Sequence, residues 1–258
     1  MTRRPRVRDR GPWARYGRGR VVIEHGFLAG GTAGAAREDF WGSLTPEAAA
    51  ALTSLGVVRT YVRGRALLLE GQVADSVLLL RKGRVKVTSS TSTGREVILA
   101  FRGPGELVGE QSAIDEEPRS ATIVAVERVE ALCLSARQFR SFLAAHPSAS
   151  LTLLQMLSRR LRDADAKRIE FSTFTTIERV AGRLLELSER FGQRDEDGAI
   201  RIALPLSQHE LAGATGASVE SVGRALQTMR SLKCIETRRR EIRVLDVDAL
   251  EALRRASG

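Results

Sequence analysis

Seven short runs of branched and aromatic residues, crowded into residues 57–134, restrict this chain to a small set of folds. The runs read VVRTYV, ALLLE, SVLLL, RVKVTS, EVILAF, TIVAV and VEALCL. Gly64, Gly71, Gly83 and Gly94 lie between them at intervals of roughly 8–12 residues, which is typical of antiparallel barrels and jelly rolls. Glycine supplies the positive φ that such corners need. The pattern predicts a β-roll of about eight strands.

Helices are predicted on both sides of the roll. Before it, Thr45 is suited to be an N-cap and Pro46 to be the first helical residue. After it, Ser135 is expected to cap a short helix that ends at His146-Pro147, since proline cannot continue a helix. A second helix is expected to run from Ser148 to about Glu170.

The long helix has an apolar seam with alternating spacings of three and four residues. Positions 154, 157, 161, 164, 168 and 171 carry Leu, Leu, Leu, Ala, Arg and Phe. Such a seam on so long a helix predicts pairing with a second copy of the chain, and the alternative is packing on its own domain. Residues 171–175 are interpreted as a hinge, Thr176 as the cap of a helix through Phe191, and GQRDEDG as a loop.

Residues 206–232, LSQHELAGATGASVESVGRALQTMRSL, have the pattern of two short helices joined by a tight turn. Ser207 and Glu210 form a capping box, and Gly216 marks the turn. Ser218 is expected to cap the second helix. A buried stripe in that helix is predicted at Val222, Leu226 and Met229. Two helices joined in this way predict a helix-turn-helix, whose second helix enters the major groove of DNA.

The exposed face of that second helix carries Glu220, Ser221 and Arg224. Arg224 can donate two hydrogen bonds to guanine, and Glu220 can accept one from the cytosine amino group. Because the two are four residues apart, an exposed salt bridge is the alternative. The segments CIETRR and REIRVL follow and predict a β-hairpin wing with the basic tip Arg238-Arg239-Arg240, which is suited to phosphate contact.

The net charge of +10 is concentrated at the N-terminus. Residues 1–37 hold nine arginines against Asp9 and Glu24, so the rest of the chain carries only +3. This arginine- and glycine-rich tail predicts disorder. Its open interpretations are a dispensable extension, an arm that contacts nucleic-acid phosphates, or an export signal, against which Glu24-His25 interrupt the apolar region.

The remaining composition excludes several classes of protein. Charged residues make up 28% of the chain and no apolar stretch nears the roughly 18 residues of a membrane span, so a soluble cytoplasmic protein with no membrane partner is expected. Cys133 and Cys234 lie too far apart for a zinc or iron–sulfur motif and are expected to be reduced. No metal site or catalytic motif (GxxxxGK[ST], HExxH, GxSxG) is present, so the chain is not expected to be an enzyme.

The segment GELVGEQSAIDEEPRSA, residues 105–121, separates the run EVILAF from TIVAV. Its glycine-rich turn precedes a short helical stretch, and Arg119 adds a fixed cationic fork suited to phosphate. One interpretation of the segment is a cradle for a ligand. The alternative is that its charged residues only stabilise the roll.

From about residue 40 to 255 the chain resembles the Crp/Fnr superfamily of bacterial transcription regulators. GELVGEQS with PRSAT is similar to the phosphate-binding cassette of that family, and SVESVGRAL is similar to its recognition helix. The implied fold is α+β: an antiparallel, jelly-roll-like β-roll with flanking helices (38–147), a dimerisation helix (148–171) and a winged helix-turn-helix (172–258), after the tail (1–37). The implied partners are palindromic double-stranded DNA, a second copy in a homodimer, and RNA polymerase.

The resemblance also implies roles for particular residues. Glu106 would hold the ribose 2′-hydroxyl of a cyclic nucleotide, Gly105 and Gly109 would allow close backbone approach, and Arg119 with Ser120 would bind its phosphate. The complete implied nucleotide site is Gly105, Glu106, Leu107, Gly109, Glu110, Arg119, Ser120, Ala164 and Asp165. The implied DNA-binding residues are Ser207, Ser218, Val219, Glu220, Ser221, Arg224, Arg238, Arg239 and Arg240.

Two positions depart from the family pattern. Members that sense cyclic AMP place a Thr-Ser pair on the long helix against adenine, where this chain has Ala164 and Asp165. In the recognition helix, Val219 replaces an arginine and can at most touch a thymine methyl group. The expected function is an effector-modulated regulator, with cyclic AMP or cyclic GMP as the effector. The alternatives are a ligand-independent regulator, or a cyclic-nucleotide buffer without specific DNA binding.

Overall fold

The computed structural model describes residues 39–255 except residues 93 and 95, so the basic N-terminal tail lies outside it. The first helix, α1 (Pro46–Leu55), begins as the sequence predicts: Thr45 is the N-cap and its hydroxyl accepts a hydrogen bond of 3.3 Å from the Ala48 amide. Leu52 on α1 is completely buried. The helix therefore closes one end of the β-roll.

Eight strands form the roll, as predicted, in two antiparallel four-stranded sheets. One has the order β1-β8-β3-β6 and the other β2-β7-β4-β5. Gly83, between β3 and β4, has φ +75°, and a Cβ there would lie 2.1 Å from the Arg128 carbonyl oxygen, so this corner requires glycine. The strands are β1 Val57–Tyr61, β2 Ala66–Leu68, β3 Ser76–Lys82, β4 Val85–Ser90, β5 Glu96–Arg102, β6 Leu107–Val108, β7 Thr122–Ala125 and β8 Val129–Ser135.

One short helix interrupts the roll and three helices follow it. The six-residue α2 (Glu110–Asp115) lies between β6 and β7, and α3 (Ala136–Ala145) begins at a capping box formed by Ser135 and Gln138. The long helix α4 (Pro147–Thr173) continues three residues past its predicted end at Glu170. Thr175, not Thr176, caps α5 (Thr176–Phe191), because the Glu178 carboxylate accepts hydrogen bonds from both the amide and the hydroxyl of Thr175.

The C-terminal part combines a four-stranded sheet, β11-β12-β10-β9, with three helices. The predicted loop GQRDEDG is wrong in its first residues: 192–194 form β9, which pairs with β10 (Ile200–Ile202). The helix-turn-helix consists of α6 (Gln208–Thr215) and α7 (Val219–Ser231), and the wing consists of β11 (Ile235–Arg238) and β12 (Glu241–Val244). The last helix, α8 (Val247–Arg254), was not predicted from the sequence.

The roll and the helix-turn-helix share a hydrophobic core. Ile98 and Phe101 of β5 are buried in the same cluster as Leu184 of α5 and Leu211 of α6. The backbone of Gly213 on α6 also comes close to β5, since a Cβ there would lie 3.2 Å from the Glu96 carbonyl oxygen. The helix-turn-helix thus packs directly against β5, the strand that leads into the segment 105–121. In the described part of the chain, no helix is long and apolar enough to cross a membrane.

Candidate functional site

A cavity of about 510 Å³ lies between the segment 105–121, strand β5 and helices α4 and α5. Its size is in the range of small-molecule sites, roughly 300–1,000 Å³. Apolar side chains of β4, β5 and β7 form one wall, including Val87, Val97 and Ile123. Within the segment 105–121, the residues that line it are Val108, Gly109, Glu110, Gln111, Ser112, Arg119, Ser120 and Ala121.

Arg119 is a buried cation that lines this cavity, with an exposed fraction of 4%. Its Nη1 donates 2.8 Å to the Gly109 carbonyl oxygen and its Nη2 donates to the Ser76 carbonyl oxygen. The carboxylate of Asp75 lies 3.5 Å away on a half-exposed side chain. Burial lowers the pKa of Arg119, and the carboxylates of Asp75 and Glu110 oppose this effect only in part. The guanidinium is therefore fixed in place with incomplete charge compensation.

Gly109 allows Arg119 to take this position. Its φ is +78°, and a Cβ would lie 2.7 Å from the Arg119 Nη1 and 2.6 Å from the Leu68 Cδ1. Any side chain would therefore be strained and would collide with the guanidinium. Gly105 also has a positive φ, but the group close to it is the Asp39 carboxylate, and Gly105 does not line the cavity.

Glu110 supplies the cavity's buried carboxylate. It is the first residue of α2, is 2% exposed and accepts a 2.6 Å hydrogen bond from the Nη1 of Arg160 on α4. The other terminal nitrogen of Arg160 donates 2.9 Å to the Leu107 carbonyl oxygen. Leu107 itself is buried in the core of the roll. Arg160 thus ties the long helix to the segment 105–121.

The role predicted for Glu106 does not fit its position. Glu106 is not among the residues that line the cavity. Its carboxylate accepts 2.8 Å from the Gly103 amide and 2.9 Å from the Nη2 of Arg190 on α5, so it faces α5. The dipeptide Gly-Glu occurs twice, four residues apart, and the structure brings the second copy, Gly109-Glu110, to the cavity.

The long helix borders the cavity with Asp163, Ala164, Lys167 and Arg168. Ala164 is thus where the resemblance places it, but its methyl group offers no hydrogen bond to a base. Asp165 is exposed and does not line the cavity. The polar α4 residues that line the cavity around Ala164 are Arg160, Asp163, Lys167 and Arg168.

A second group of cations lies where the roll meets α4 and α5, and we call it the inner end of the cavity: Arg102, Lys167, Arg183 and Arg190. Two carboxylates are shared among these four side chains. Glu186 lies 2.7 Å from Arg183, 3.5 Å from Arg190 and 3.7 Å from Lys167. Glu106 lies 2.9 Å from Arg190 and 3.4 Å from Arg102.

The electrostatics of the inner end reflect this shortage of negative charge. Burial, together with the neighbouring Arg183, Arg102 and Arg190, lowers the pKa of Lys167 to about 8 against the opposing effect of Glu186. Burial, together with Arg160 and Arg190, lowers the pKa of Arg102 to about 10. Both shifts mean that the surroundings disfavour the cationic forms.

Four charged residues that line the cavity were not predicted from the sequence: Arg160, Lys167, Arg183 and Arg190. They lie on helices that were interpreted only through their apolar faces. A signal was present in the spacing. Positions 160, 163, 164 and 167 lie on one face of α4, as do 183, 186 and 190 on α5. The spacing does not indicate that these faces of α4 and α5 lie next to each other in the fold.

The geometry predicted for the helix-turn-helix is confirmed. Ser207 caps α6 in a capping box with Glu210, and Ser218 caps α7 by accepting 3.1 Å from the Ser221 amide. Gly216, in the turn, has φ +64°. The stripe predicted to be buried, Val222, Leu226 and Met229, is buried.

The outer face of α7 presents Glu220 and Arg224 to solvent. Their side chains are 78% and 68% exposed and form a 2.9 Å salt bridge with each other. Arg224 also approaches the Ser221 hydroxyl at 3.4 Å. Val219, in contrast, is half-buried against the hydrophobic core, which limits its reach towards a base.

The wing places Arg238, Arg239 and Arg240 in exposed positions at its tip. The turn between β11 and β12 forms at Arg239-Arg240, where Arg240 has φ +59°. Behind the tip, Arg243 pairs with Asp195, Asp197 and Glu236, which fastens the wing to the loop after β9. The hairpin and its basic tip thus form where the sequence predicts them.

The long helix leaves an apolar face exposed in the single chain. Leu154, Leu161 and Phe171 of the predicted seam are 61%, 64% and 45% exposed. Leu151 and Ile169 are exposed as well. A helix of 27 residues is about 40 Å long, so this face extends well beyond the roll that covers its first turns.

Comparison with known proteins agrees with both halves of the molecule. Residues 58–146 match the cyclic nucleotide-binding domain family, and residues 178–253 match the Crp-like helix-turn-helix domain family.

Among curated proteins, the chain is 35% identical over 191 residues to the CRP-like cAMP-activated global transcriptional regulator of Mycobacterium tuberculosis, covering 74% of this chain and 85% of the relative. It is 33% identical over 186 residues to the cyclic AMP receptor protein of Thermus thermophilus, covering 72% and 82%. A solved structure of a CRP-family transcriptional regulator, also from Thermus thermophilus, superposes with a TM-score of 0.65 at 27% identity, covering 76% of this chain and 96% of that one. With its cyclic-nucleotide-type β-roll and exposed recognition helix, this chain belongs to the Crp/Fnr family of DNA-binding transcription regulators.

Proposed function

We propose that the chain acts as a homodimer whose β-roll cavity binds a nucleotide effector through its phosphate and thereby modulates DNA binding. The observation that carries the proposal is Arg119: a guanidinium that is 4% exposed, lines a cavity and has its carboxylate partner, Asp75, 3.5 Å away on a half-exposed side chain. A buried cation of this kind is stabilised when a phosphate supplies the missing charge.

The other contacts to the effector follow from the residues beside Arg119. The exposed hydroxyl of Ser120 can donate to a phosphate oxygen, and the carboxylate of Glu110 can accept from a ribose hydroxyl once Arg160 yields. Ala164 offers nothing to the base. We therefore expect cyclic AMP and cyclic GMP to be distinguished only weakly, because each lost hydrogen bond is worth about 1 kcal/mol.

DNA recognition is assigned to α7 and the wing. Arg224 is exposed and its salt bridge to Glu220 is easily exchanged for a guanine contact, while Glu220 is free to accept from a cytosine amino group. Ser207, Ser218 and Ser221 lie at helix starts suited to the DNA backbone, and Arg238, Arg239 and Arg240 to its phosphates. Pairing of the α4 apolar faces would place two such units on a palindromic site.

Two matched variants test the proposal together, one at each site. Arg119→Ala should abolish binding of cyclic AMP and cyclic GMP in calorimetry and leave the protein able to bind its DNA site. Arg224→Ala should weaken binding to a selected palindromic site about 10- to 100-fold in gel shifts, since one bidentate base contact is worth about 1–3 kcal/mol. It should leave nucleotide affinity unchanged, and analytical ultracentrifugation of both should give a dimer.

The proposal fails for the effector if Arg119→Ala binds nucleotides as tightly as the wild type, and for DNA if Arg224→Ala retains its sequence preference. A second candidate, a ligand-independent regulator, is favoured by one contact: Arg160 already satisfies Glu110 without a ligand. That candidate predicts intact specific DNA binding in the absence of any nucleotide and no calorimetric signal with either one.

A further inference from the structure

We infer that the inner end of the cavity is a second phosphate site, so that the effector of this chain is a nucleotide with two phosphate groups. The inference rests on the proposed function, because it concerns the same cavity. It adds the class of effector, which the single cation Arg119 does not determine.

The charge of the cavity is the first argument. Within the described residues, seven arginine and lysine side chains line it against three carboxylates. Two carboxylates pair from outside the lining, Glu106 with Arg102 and Arg190 and Asp75 with Arg119, and bring the carboxylates to five. Two positive charges remain in excess. A cyclic mononucleotide carries a single negative charge and, bound at Arg119, leaves the inner end as it was.

The arrangement of the inner end is the second argument. Arg183 is 7% exposed and Arg102 and Arg190 are each 15% exposed, so these charges are withdrawn from water. They come from different elements, Arg102 from β5 and Arg183 and Arg190 from α5, and Lys167 joins them from α4. Four donors that converge from three elements on one cavity can hold a phosphate from several sides.

Lys167 supports the inference independently of the count. Its ammonium faces Arg183, Glu186 and Arg190 of α5 and Arg102 of β5, and these surroundings together with burial lower its pKa to about 8. An anion placed among these groups would favour the charged ammonium and raise this pKa again. Binding of a second phosphate near pH 8 should therefore be accompanied by proton uptake at Lys167.

The apolar wall formed by β5 favours one ligand with two phosphates over two separate anions. Val97, Ile98, Leu99 and Ala100 of β5 line the same continuous cavity as Arg119 and the four inner cations. A nucleobase or ribose packed on this wall can connect one phosphate at Arg119 to another at the inner end. Free inorganic phosphate is the other source of the same chemistry, and the experiment separates the two.

The test is calorimetry on the full chain with three titrations: cyclic AMP, a cyclic dinucleotide, and cyclic AMP in the presence of inorganic phosphate. Each is run on wild type, on Lys167→Gln and on Lys82→Gln, a control that removes an exposed lysine of β3 outside the cavity lining. Thermal unfolding of each variant confirms that it folds. Titrations at pH 8 in two buffers of different ionisation enthalpy report proton uptake.

We expect the cyclic dinucleotide to bind more tightly than cyclic AMP and to lose at least ten-fold in affinity in Lys167→Gln, against less than three-fold for cyclic AMP. Its binding should take up a proton in wild type and in Lys82→Gln but not in Lys167→Gln. If inorganic phosphate strengthens cyclic AMP binding through Lys167 and the dinucleotide does not bind, the second phosphate is a separate ion and the two-phosphate effector is refuted.

Two further outcomes overturn the inference and separate it from the proposed function. If cyclic AMP binds, depends on Arg119 and is indifferent to Lys167, and the dinucleotide binds no better, the second site is refuted while the effector function stands. If no nucleotide binds and specific DNA binding persists, both the inference and the effector function are refuted, and the ligand-independent regulator remains.

Discussion

The molecule contains two sets of ion pairs in opposite surroundings, the inner end of the cavity and the outer face of α7. At the inner end, Glu186 is shared among three cations whose side chains are 7–22% exposed. On α7, Glu220 and Arg224 form a single pair that is 78% and 68% exposed. The first set holds the roll, the long helix and the DNA-binding unit together. The second contributes little to the free energy of unfolding, and its side chains are accessible to a partner.

The difference follows from what each charge would lose without its partner. Withdrawing a charge from water costs several kcal/mol, so a buried cation left unpaired is strongly destabilising. An exposed pair keeps its hydration, and its net contribution is about 0–1 kcal/mol. The DNA contact proposed for Arg224 would therefore cost the protein little stability. Separating the ion pairs of the inner end requires another negative charge to replace the carboxylates, which a bound phosphate would supply.

The largest effect is expected from removing the shared carboxylate. Glu186→Ala leaves Arg183, Arg190 and Lys167 without their common partner and should lower the free energy of unfolding by about 3 kcal/mol. Urea denaturation measures this. Glu189→Ala, an exposed position on the same helix, is the matched control and should change stability by less than about 0.5 kcal/mol. Equal effects of the two substitutions would show that the inner end is no more than a solvated cluster.

A smaller effect is expected from pH. Because the pKa of Lys167 is lowered to about 8 in the folded chain and is near 10.5 when unfolded, the unfolded state binds more protons between these values. The contribution of Lys167 to stability therefore rises with pH across that window. From pH 7.5 to 9.5 the wild type should gain about 1–2 kcal/mol relative to Lys167→Met.

Urea denaturation of both proteins at the two pH values gives this difference. Comparing against Lys167→Met removes the opposite trend of Tyr61 and Cys133, whose pKa values are raised by burial and whose contributions fall at alkaline pH. A difference that stays constant with pH would mean that burial and the neighbouring cations do not lower the pKa of Lys167 in the folded chain.

The smallest effect is expected on α7. Glu220→Ala breaks the exposed pair with Arg224 and should change the free energy of unfolding by less than about 0.5 kcal/mol. It should nevertheless relax the base preference at one position of the DNA site, which a selection from a randomised palindrome would detect. A loss of stability comparable to that of Glu186→Ala would remove the contrast between the two sets of ion pairs.

Local chemistry made much of the fold predictable. Thr45, Ser135, Ser207 and Ser218 cap helices where the sequence places them, because a cap depends on residues within one turn. The eight-strand roll and the wing followed from short apolar runs between turns. The strand β9 was missed because its three residues, Gly192–Arg194, are polar and become a strand only by pairing with β10.

The candidate site was predictable at the level of the segment and not of each side chain. Gly-Glu occurs at 105–106 and again at 109–110, and nothing local distinguishes the copies. The difference is tertiary: Glu106 faces Arg190 of α5, whereas Glu110 faces Arg160 of α4 beside the cavity. The cluster of cations at the inner end could not be predicted for the same reason. Arg102, Lys167 and Arg183 are 16 to 81 residues apart in the chain and come together only in the fold.

We propose that the cavity and the recognition helix are energetically coupled through the structure between them. In that structure Glu186 binds Arg183, whose Nη2 donates 2.9 Å to the Ala214 carbonyl oxygen of α6. Coupling between two binding sites is reciprocal in free energy. An effector that strengthens DNA binding must therefore itself be bound more tightly when DNA is present.

The most direct measurement is the affinity of the cyclic dinucleotide and of cyclic AMP for the full chain, each determined with and without a saturating palindromic DNA duplex. We expect at least one of the two nucleotides to change its affinity by about five-fold or more when DNA is bound, with the same factor for DNA when the nucleotide is bound. Nucleotide affinities that are identical with and without DNA would contradict this coupling.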